Sequence, residues 1–404
     1  MIRGVASAYR AAFAGLPRTV WILAAAALVN RSGTMVLPFL TLYLTREIGL
    51  STTEAGGILA LFGMGSIAGS FIGGWLSDRI GPVRVQIWSL LATGVGFLVL
   101  TALHAPAAIA VTVLITSVAG EGFRPALMAS VALASPVETR TRSFSLLRLA
   151  VNLGMSIGPA VGGFLAVRHY ALLFVVDAVT CWLAAGVLWA VLPGSASRLH
   201  EGRASSGAGV SPWRDGPFLG LLVLAFLLAL AFFQIMATLP LYFRQHYGFA
   251  EDTIGMLLAL NALVIAAVEM VLMHAIDHLE PLRVAGIGGF LVCLGFALMP
   301  LGSGVAFAAI TVLVWTAGEM LSLPLLNSAA AHRATPGSTG SYLGAYTLSF
   351  SAALVVAPAV GTAVYERLGP QVLWFSVGGL GILLWVGFWA LLGRFRRGNE
   401  AGDA

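Results

Sequence analysis

Asp78-Arg79-Ile80-Gly81-Pro82-Val83-Arg84-Val85 comes back 199 positions later as Asp277-His278-Leu279-Glu280-Pro281-Leu282-Arg283-Val284. Asp, Pro, Arg and Val hold their places in both copies. The same offset carries Tyr43, Gly49 and Gly56 onto Tyr242, Gly248 and Gly255. It also carries Pro159-Ala160-Val161-Gly162 onto Pro358-Ala359-Val360-Gly361. Gly120-Glu121 meets Gly318-Glu319 one residue out of step. Apolar stretches match locally by chance, but rare Asp and Arg residues in one register from the forties to the three-sixties do not. The chain is two copies of one module.

The module belongs in a membrane. Hydrophobic residues make up 59% of the 404 and charged residues 10%, too few charges to solvate a water-soluble domain. About 20 apolar residues span the hydrocarbon core as a helix. Hydropathy predicts twelve such segments, near 19–44, 55–77, 84–104, 107–134, 144–167, 170–192, 217–245, 252–275, 283–302, 305–331, 341–365 and 370–393. Backbone in lipid must pair internally, and runs this long do not alternate as barrel strands do, so the segments are helices. The expected fold is an all-α integral membrane protein whose twelve transmembrane helices form two pseudo-twofold-related six-helix bundles. Many secondary transporters are built this way. The expected divisions are a bundle over 1–192, a cytoplasmic linker over 193–216 rich in Gly, Ser and charge, a bundle over 217–393, and a cytoplasmic tail over 394–404.

All 22 basic residues are Arg. Fifteen lie in the termini and in alternate loops: Arg3, Arg10, Arg18, Arg79, Arg84, Arg140, Arg142, Arg198, Arg203, Arg214, Arg283, Arg333, Arg394, Arg396 and Arg397. Four lie in the opposite loops (Arg46, Arg168, Arg244, Arg367) and three within helices (Arg31, Arg124, Arg148). The positive-inside rule therefore puts both termini in the cytoplasm, with the chain in the inner membrane. The net charge of +5 is a topology signal and gives no reason to expect nucleic-acid binding. The first helix is too long for a signal peptide and is expected to stay. Without Lys there is no Walker-type phosphate loop, so this chain does not drive transport with ATP itself. Cys181 and Cys293 have no metal-site spacing, and no cofactor is expected.

Gly74-Trp-Leu-Ser-Asp78-Arg79-Ile-Gly81-Pro-Val-Arg84, between helices 2 and 3, resembles the G-x-L-x-D-R-x-G-x-x-R signature of the major facilitator superfamily. The second copy keeps Asp277 and Arg283 and has His278 at the Arg79 position. The physics of such a turn stands apart from the name. A carboxylate at a helix end can sit against the positive end of another helix or an Arg, or it can simply satisfy its own loop. The resemblance implies a conformational latch on the cytoplasmic side, made of Gly74, Asp78, Arg79, Gly81, Arg84, Asp277 and Arg283. In helix 5, Gly154, Gly158, Pro159, Gly162 and Gly163 resemble the signature of antiporting members such as proton-coupled drug exporters. Tight packing around a Pro bend explains the same residues, and the family's early Gly is Ser145 here. Gly65, Gly69 and Gly73 in helix 2 read as a packing ridge. Helix 4 departs from the R-x-x-Q-G of many proton-coupled exporters, with Val118 at the Arg position and Glu121 at the Gln.

Ionisable side chains inside a membrane are costly, so they are the best functional leads. They are Arg31, Glu121, Arg124, Asp177, Glu269 and Glu319, with Arg148 near enough to an edge to snorkel. Glu121 and Arg124 share a helix face and can form an internal pair; Arg31 neutralises Glu121 or binds an anion. Asp177 reads as a structural hydrogen-bonding group. The C-terminal half has no intramembrane Arg, so desolvation makes Glu319, then Glu269, candidate proton carriers beside Glu121. The resemblance implies that helices 1, 4, 7 and 10 line a central cavity. Its candidate lining is Asn30, Arg31, Met35, Arg124, Asn152, Phe233, Gln234, Asn261, Trp315 and Tyr346, although helix packing explains each one singly. Aromatic and Met side chains with a few polar groups suit a broad apolar substrate.

The resemblance, over nearly the whole chain outside the linker, implies multidrug efflux: a monomeric proton-coupled antiporter exporting amphipathic small molecules by alternating access. The alternatives are an exporter of sugars or small anionic metabolites using Arg31 or Arg124, and a sensor or scaffold that keeps the fold without turnover. No paired catalytic constellation suggests an enzyme. The expected partners are a small-molecule substrate, protons and membrane lipid.

Overall fold

The computed structural model describes residues 15–136, 139–192, 211–276, 278–334 and 339–400. Twelve helices are long and apolar enough to cross a membrane. They are α1 (Arg18–Arg46), α2 (Thr52–Ile80), α3 (Pro82–Thr101), α4 (Pro106–Ala134), α5 (Arg142–Ala166), α6 (Ala171–Val191), α7 (Gly216–Ala237), α8 (Glu251–Glu269), α9 (Pro281–Leu301), α10 (Val305–Arg333), α11 (Ser341–Leu368) and α12 (Pro370–Gly393). Pro stands at the first turn of α3, α4 and α9, where its missing N–H costs no helical hydrogen bond. Most of the linker expected over 193–216 lies outside the described residues; its end holds a short 3-10 turn, Pro212–Arg214.

The repeat is visible atom by atom. After α1 the N–H of Glu47 bonds to the carbonyl of Tyr43 and that of Leu50 to Leu44. After α7 the N–H of His246 bonds to Tyr242 and that of Phe249 to Phe243, the same bonds moved by the repeat offset. Gly49 and Gly248 hold these turns with φ of +77° and +68°, a region where a Cβ is strained.

Two compact units form, and they do not follow the order of the chain. The first takes α1 as far as Val36, α2 from Gly65 onward, and α3–α6. Its core sets Leu23, Ala27, Phe123, Leu147, Cys181 and Leu188 against one another. The glycine ridge of α2 lies on α4. A Cβ at Gly69 would stand 2.3 Å from the Val118 carbonyl oxygen, and one at Gly73 2.3 Å from the Gly122 Cα. Only glycines allow two backbones to approach this closely.

The second unit holds α7–α12 together with Leu37–Met64, the outer parts of α1 and α2. Phe296 is sandwiched in its core between Trp315 and Trp374, with both ring centroids 5.7 Å away. At its near face, the end at which the odd-numbered helices begin and opposite to the far face, Asp215 caps α7, accepting from the Phe218 N–H at 3.2 Å. The Arg333 guanidinium donates to both Asp215 oxygens at 2.7 and 3.0 Å, and the Tyr342 hydroxyl donates at 3.1 Å. Arg333 also donates to the Phe395 carbonyl at 3.0 Å. One carboxylate and one guanidinium thus tie α7, α10, α11 and the helix continuing α12.

Burial raises the Asp215 carboxyl, but the hydrogen bonds from Arg333, the Phe218 N–H and Tyr342 outweigh it, and the group lies below its ordinary value. Its stabilisation is therefore complete above about pH 4 and falls away as acid protonates the folded protein. Asp215→Asn strands Arg333 and is expected to cost about 3 kcal/mol at pH 7. Thermal unfolding in detergent micelles should show a lower melting temperature, with the two proteins converging towards pH 3. Equal melting at pH 7 would remove the pair from the account of stability.

Candidate functional site

Helix α1 breaks after Ser32 and resumes at Val36. A break inside a membrane frees backbone groups that need partners. Asp177 of α6 supplies one: its carboxylate accepts from the N–H of Val36 at 3.3 Å, while the N–H of Met35 bonds to the Gly33 carbonyl at 2.6 Å. Gly33 makes room, since a Cβ there would stand 1.7 Å from Thr180 Oγ1 and 3.2 Å from Asp177 Oδ1. From the other side α5 presses its glycines on the same turn. A Cβ on Gly154 would meet Arg31 Cβ at 2.6 Å, and one on Gly158 the Thr34 carbonyl at 2.9 Å. Gly162 and Gly163 are buried. The helix-5 signature is thus a seat for the α1 break.

That seat holds the first charge cluster. The charged groups that act on buried Arg31 are Glu121, Arg124 and Asp177. Asn30, one residue earlier, donates to Cys181 Sγ at 3.5 Å. The expected internal pair of Glu121 and Arg124 does not form. They flank a break in α4 at Gly122, Glu121 is half-buried and Arg124 exposed, and no ion pair within 4 Å joins them among the described residues. Asn152 is half-buried on α5.

The second unit has its own break at the matching place, where α7 stops at Phe232, makes one turn over Gln234–Ala237 and resumes at Leu239. Here the partner is Gln234 itself, donating to the carbonyls of Leu230 and Ala357 at 3.1 Å and accepting from Thr238 Oγ1 at 2.8 Å. Gln234 and Met35 are therefore buried parts of the two breaks, with exposures of 4% and 1%. Trp315 is wholly buried as well, packed on Gly295 and Phe296.

The cluster that α8 and α10 build is small and polar. Asn261 Nδ2 donates to Glu319 Oε2 at 2.9 Å and to Thr316 Oγ1 at 3.0 Å. Thr316 in turn donates to the Val312 carbonyl at 2.6 Å. Glu319 is half-buried, whereas Glu269 is buried at the other end of α8. In the same unit Phe350 joins two further candidates, with centroids 6.5 Å from Phe233 and 5.1 Å from Tyr346. Sequence reading passed over Thr316 and Phe350, although their spacing of three from Glu319 and four from Tyr346 puts each on its partner's helix face.

At the far face of the second unit, the ends of α1 and α2 are tied to α7, α8 and α11. Arg46 pairs with the buried carboxylate of Glu251, which also has Arg244 at 3.9 Å. Glu366 accepts from both the N–H and the hydroxyl of Thr53 at 2.6 Å. Gly56 and Gly63 bring α2 against Thr362 and the Leu354 backbone. In the loop after α2, Asp78 is exposed and pairs with no described residue. Arg79 lies 4.0 Å over the Trp75 ring, Arg283 lies 5.3 Å over Trp389, and Arg84 is exposed. Gly74 has open space around it, and Gly81 starts α3 with a φ of +91°. Asp277 lies outside the described residues.

Twelve spans, an internal repeat and the Asp78 turn agree with the family model for the Major Facilitator Superfamily, which matches residues 20–358. The chain belongs to that superfamily. It is 27% identical over 86% of its length to YqjV of Bacillus subtilis, an uncharacterized MFS-type transporter matched over 87% of its own length. It is 24% identical to a Na(+), Li(+), K(+)/H(+) antiporter of Planococcus maritimus, covering 91% of this chain and 92% of that one. The quinolone resistance protein NorA of Staphylococcus aureus is 25% identical over 33% of this chain and 34% of its own. A crystal structure of a POT family transporter with 5-aminolevulinic acid superposes with a TM-score of 0.82 at 16% identity, over 95% of this chain and 98% of that one. At that identity the likeness concerns the fold. The chain is a multi-pass membrane transporter.

Asp177→Leu removes the acceptor of the Val36 N–H in the α1 break. A loss of about 1–3 kcal/mol is expected for the stranded group, while Asp177→Asn keeps an acceptor and loses less. Differential scanning fluorimetry of the purified variants checks the order. A leucine variant as stable as wild type would show that the cap carries no load.

Proposed function

We propose that the chain is a proton-coupled antiporter of the cytoplasmic membrane that exports amphipathic small molecules by alternating access. The observation that carries this reading is the Asn261–Glu319–Thr316 cluster. A carboxyl half-buried in the middle of a membrane helix meets a neutral amide donor, which holds one oxygen whichever protonation state the group has. Such a group loads and releases a proton without losing its place. The N-terminal half sets the repeat-related Glu121 against the cation Arg31, so the two copies of the module give their carboxyls different company.

Alternating access needs contacts that seal and release. The Arg46–Glu251 pair and the Thr53–Glu366 bonds are suited to close the far face. Asp78, exposed and with no ion-pair partner among the described residues, is suited to a latch in its released form. The Arg distribution supports cytoplasmic termini, with the far face outside. Phe233, Phe350 and Tyr346 offer flat apolar surface to an amphipathic compound. The likeness to NorA supports the substrate class, and the resemblance of the helix-5 motif to that of antiporting members supports antiport.

A second reading, exchange of monovalent cations for protons, is favoured by the likeness to the Planococcus antiporter over nearly the whole chain. Inverted vesicles carrying a pH gradient separate the two. Adding a quinolone or ethidium should collapse part of the gradient if drugs are exchanged, and adding sodium should do so if cations are.

Glu319→Gln copies the protonated group in shape and charge. It should abolish gradient-driven accumulation, by tenfold or more, while leaving downhill movement of the same compound. Glu121→Gln should lower stability more than coupling, because it removes a counter-charge of Arg31. If vesicles with Glu319→Gln concentrate substrate as wild type does, the coupling carboxylate lies elsewhere and Glu269 is next.

A further inference from the structure

Outside these clusters, the first unit carries a groove of about 700 Å³ between α3 and α6. Arg84, Trp88 and Leu91 form one wall; Trp182, Gly186 and Trp189 form the other. On α3 the three positions follow one helical stripe, spaced four and three apart, and span about 10 Å at 1.5 Å per residue. The helices run antiparallel, with Trp182 Nε1 donating to the Leu91 carbonyl at 3.2 Å. That bond fixes the deep end of the groove, and Arg84 stands at the mouth on the near face. Trp88 and Trp189 are exposed. Gly186 opens the wall between Trp182 and Trp189, since a Cβ there would have nothing within 4 Å.

We propose that this groove holds one acyl chain of an anionic phospholipid whose phosphate pairs with Arg84. The argument is charge and shape together. Arg84 is the one cation in a lining that is otherwise apolar, it is exposed, and no described residue pairs with it. A guanidinium matches the planar oxygens of a phosphate diester. Basic pockets between helices on the near side of a membrane take such head groups. The slot leads from the cation into the hydrocarbon depth and is lined by indole faces and a missing side chain. A lipid with its head at Arg84 has a tail already aimed into it. A soluble anion would use Arg84 but leave the apolar wall uncovered. The proposal concerns the lipid-facing side of the first unit and stands whatever the transported compound.

Native mass spectrometry of the full chain, released from micelles with equal amounts of phosphatidylglycerol and phosphatidylcholine, tests it. Wild type should retain the first phosphatidylglycerol about fivefold over phosphatidylcholine, the preference one cation near the surface gives. Arg84→Gln should bring that ratio close to one. Gly186→Leu, where a Cβ meets nothing within 4 Å, puts a side chain into the slot and should cut retention of both lipids several-fold. Gly379→Leu, at an equally open glycine on α12, should behave as wild type. No preference in the wild type, or an unchanged ratio in Arg84→Gln, overturns the proposal. If Gly186→Leu keeps full retention while Arg84→Gln loses it, the cation binds head groups without the groove, and the acyl site is wrong. Should Gly186→Leu fail to fold, the Arg84→Gln ratio still decides.

Discussion

A helix that breaks inside a membrane must find partners for the backbone groups it frees, because lipid offers none. Two helices break here at matching points of the repeat, and much of each unit is arranged around them. At the α1 break the partner is a carboxylate from α6, with two α5 glycines closing the other side. At the α7 break it is an amide inside the break, reaching α11 at Ala357. Gly158 and Ala357 occupy the same position in the two copies, so the junction is conserved in place while its chemistry has changed. The breaks also set the site. Arg31 and Asn30 stand in the last helical turn before the first, and Phe233 lies in the second.

Glycine decides where helices approach and therefore what each unit contains. Gly65, Gly69 and Gly73 hold the near half of α2 to α4, whereas Gly56 and Gly63 hold its far half to α11. One helix thus takes part in both units, divided between Met64 and Gly65. The far half gains the Thr53–Glu366 bonds, and α1 gains the Arg46–Glu251 pair. The alternating access proposed for this chain would need its far-face contacts to be reversible. Glycine contacts with a few polar bonds at their ends suit that better than interlocked large side chains, since small residues slide without repacking a core.

Much of this was legible in the chain. The repeat, the twelve spans and the Asp78 turn follow from spacing and hydropathy, which do not depend on contacts. Asp177 was also readable as structural, since an acid near a helix end in lipid needs a donor. What escaped the sequence was the set of contacts made across helices. Glu121 and Arg124 share a face on an ideal helix, but α4 breaks between them at Gly122 and the pair is lost. Gln234 and Trp315 sit on helices expected to face a cavity, yet one mends a backbone and the other fills a core. Rotation about a helix axis is set by neighbours, and a hydrophobic helix gives little periodicity from which to infer it.

The two copies have kept their backbone and divided their charge. In the first, Arg31 lies in the field of Glu121 and Arg124, while no Arg lies inside the helices of the second except at their ends. Glu319 of the second is met instead by the amide of Asn261. A guanidinium brings a full positive charge to its neighbour and an amide brings only a donor, so the two carboxyls sit in different fields. Divergence at this one feature, on a skeleton still matched bond by bond at Leu50 and Phe249, is the asymmetry on which the proposed coupling rests.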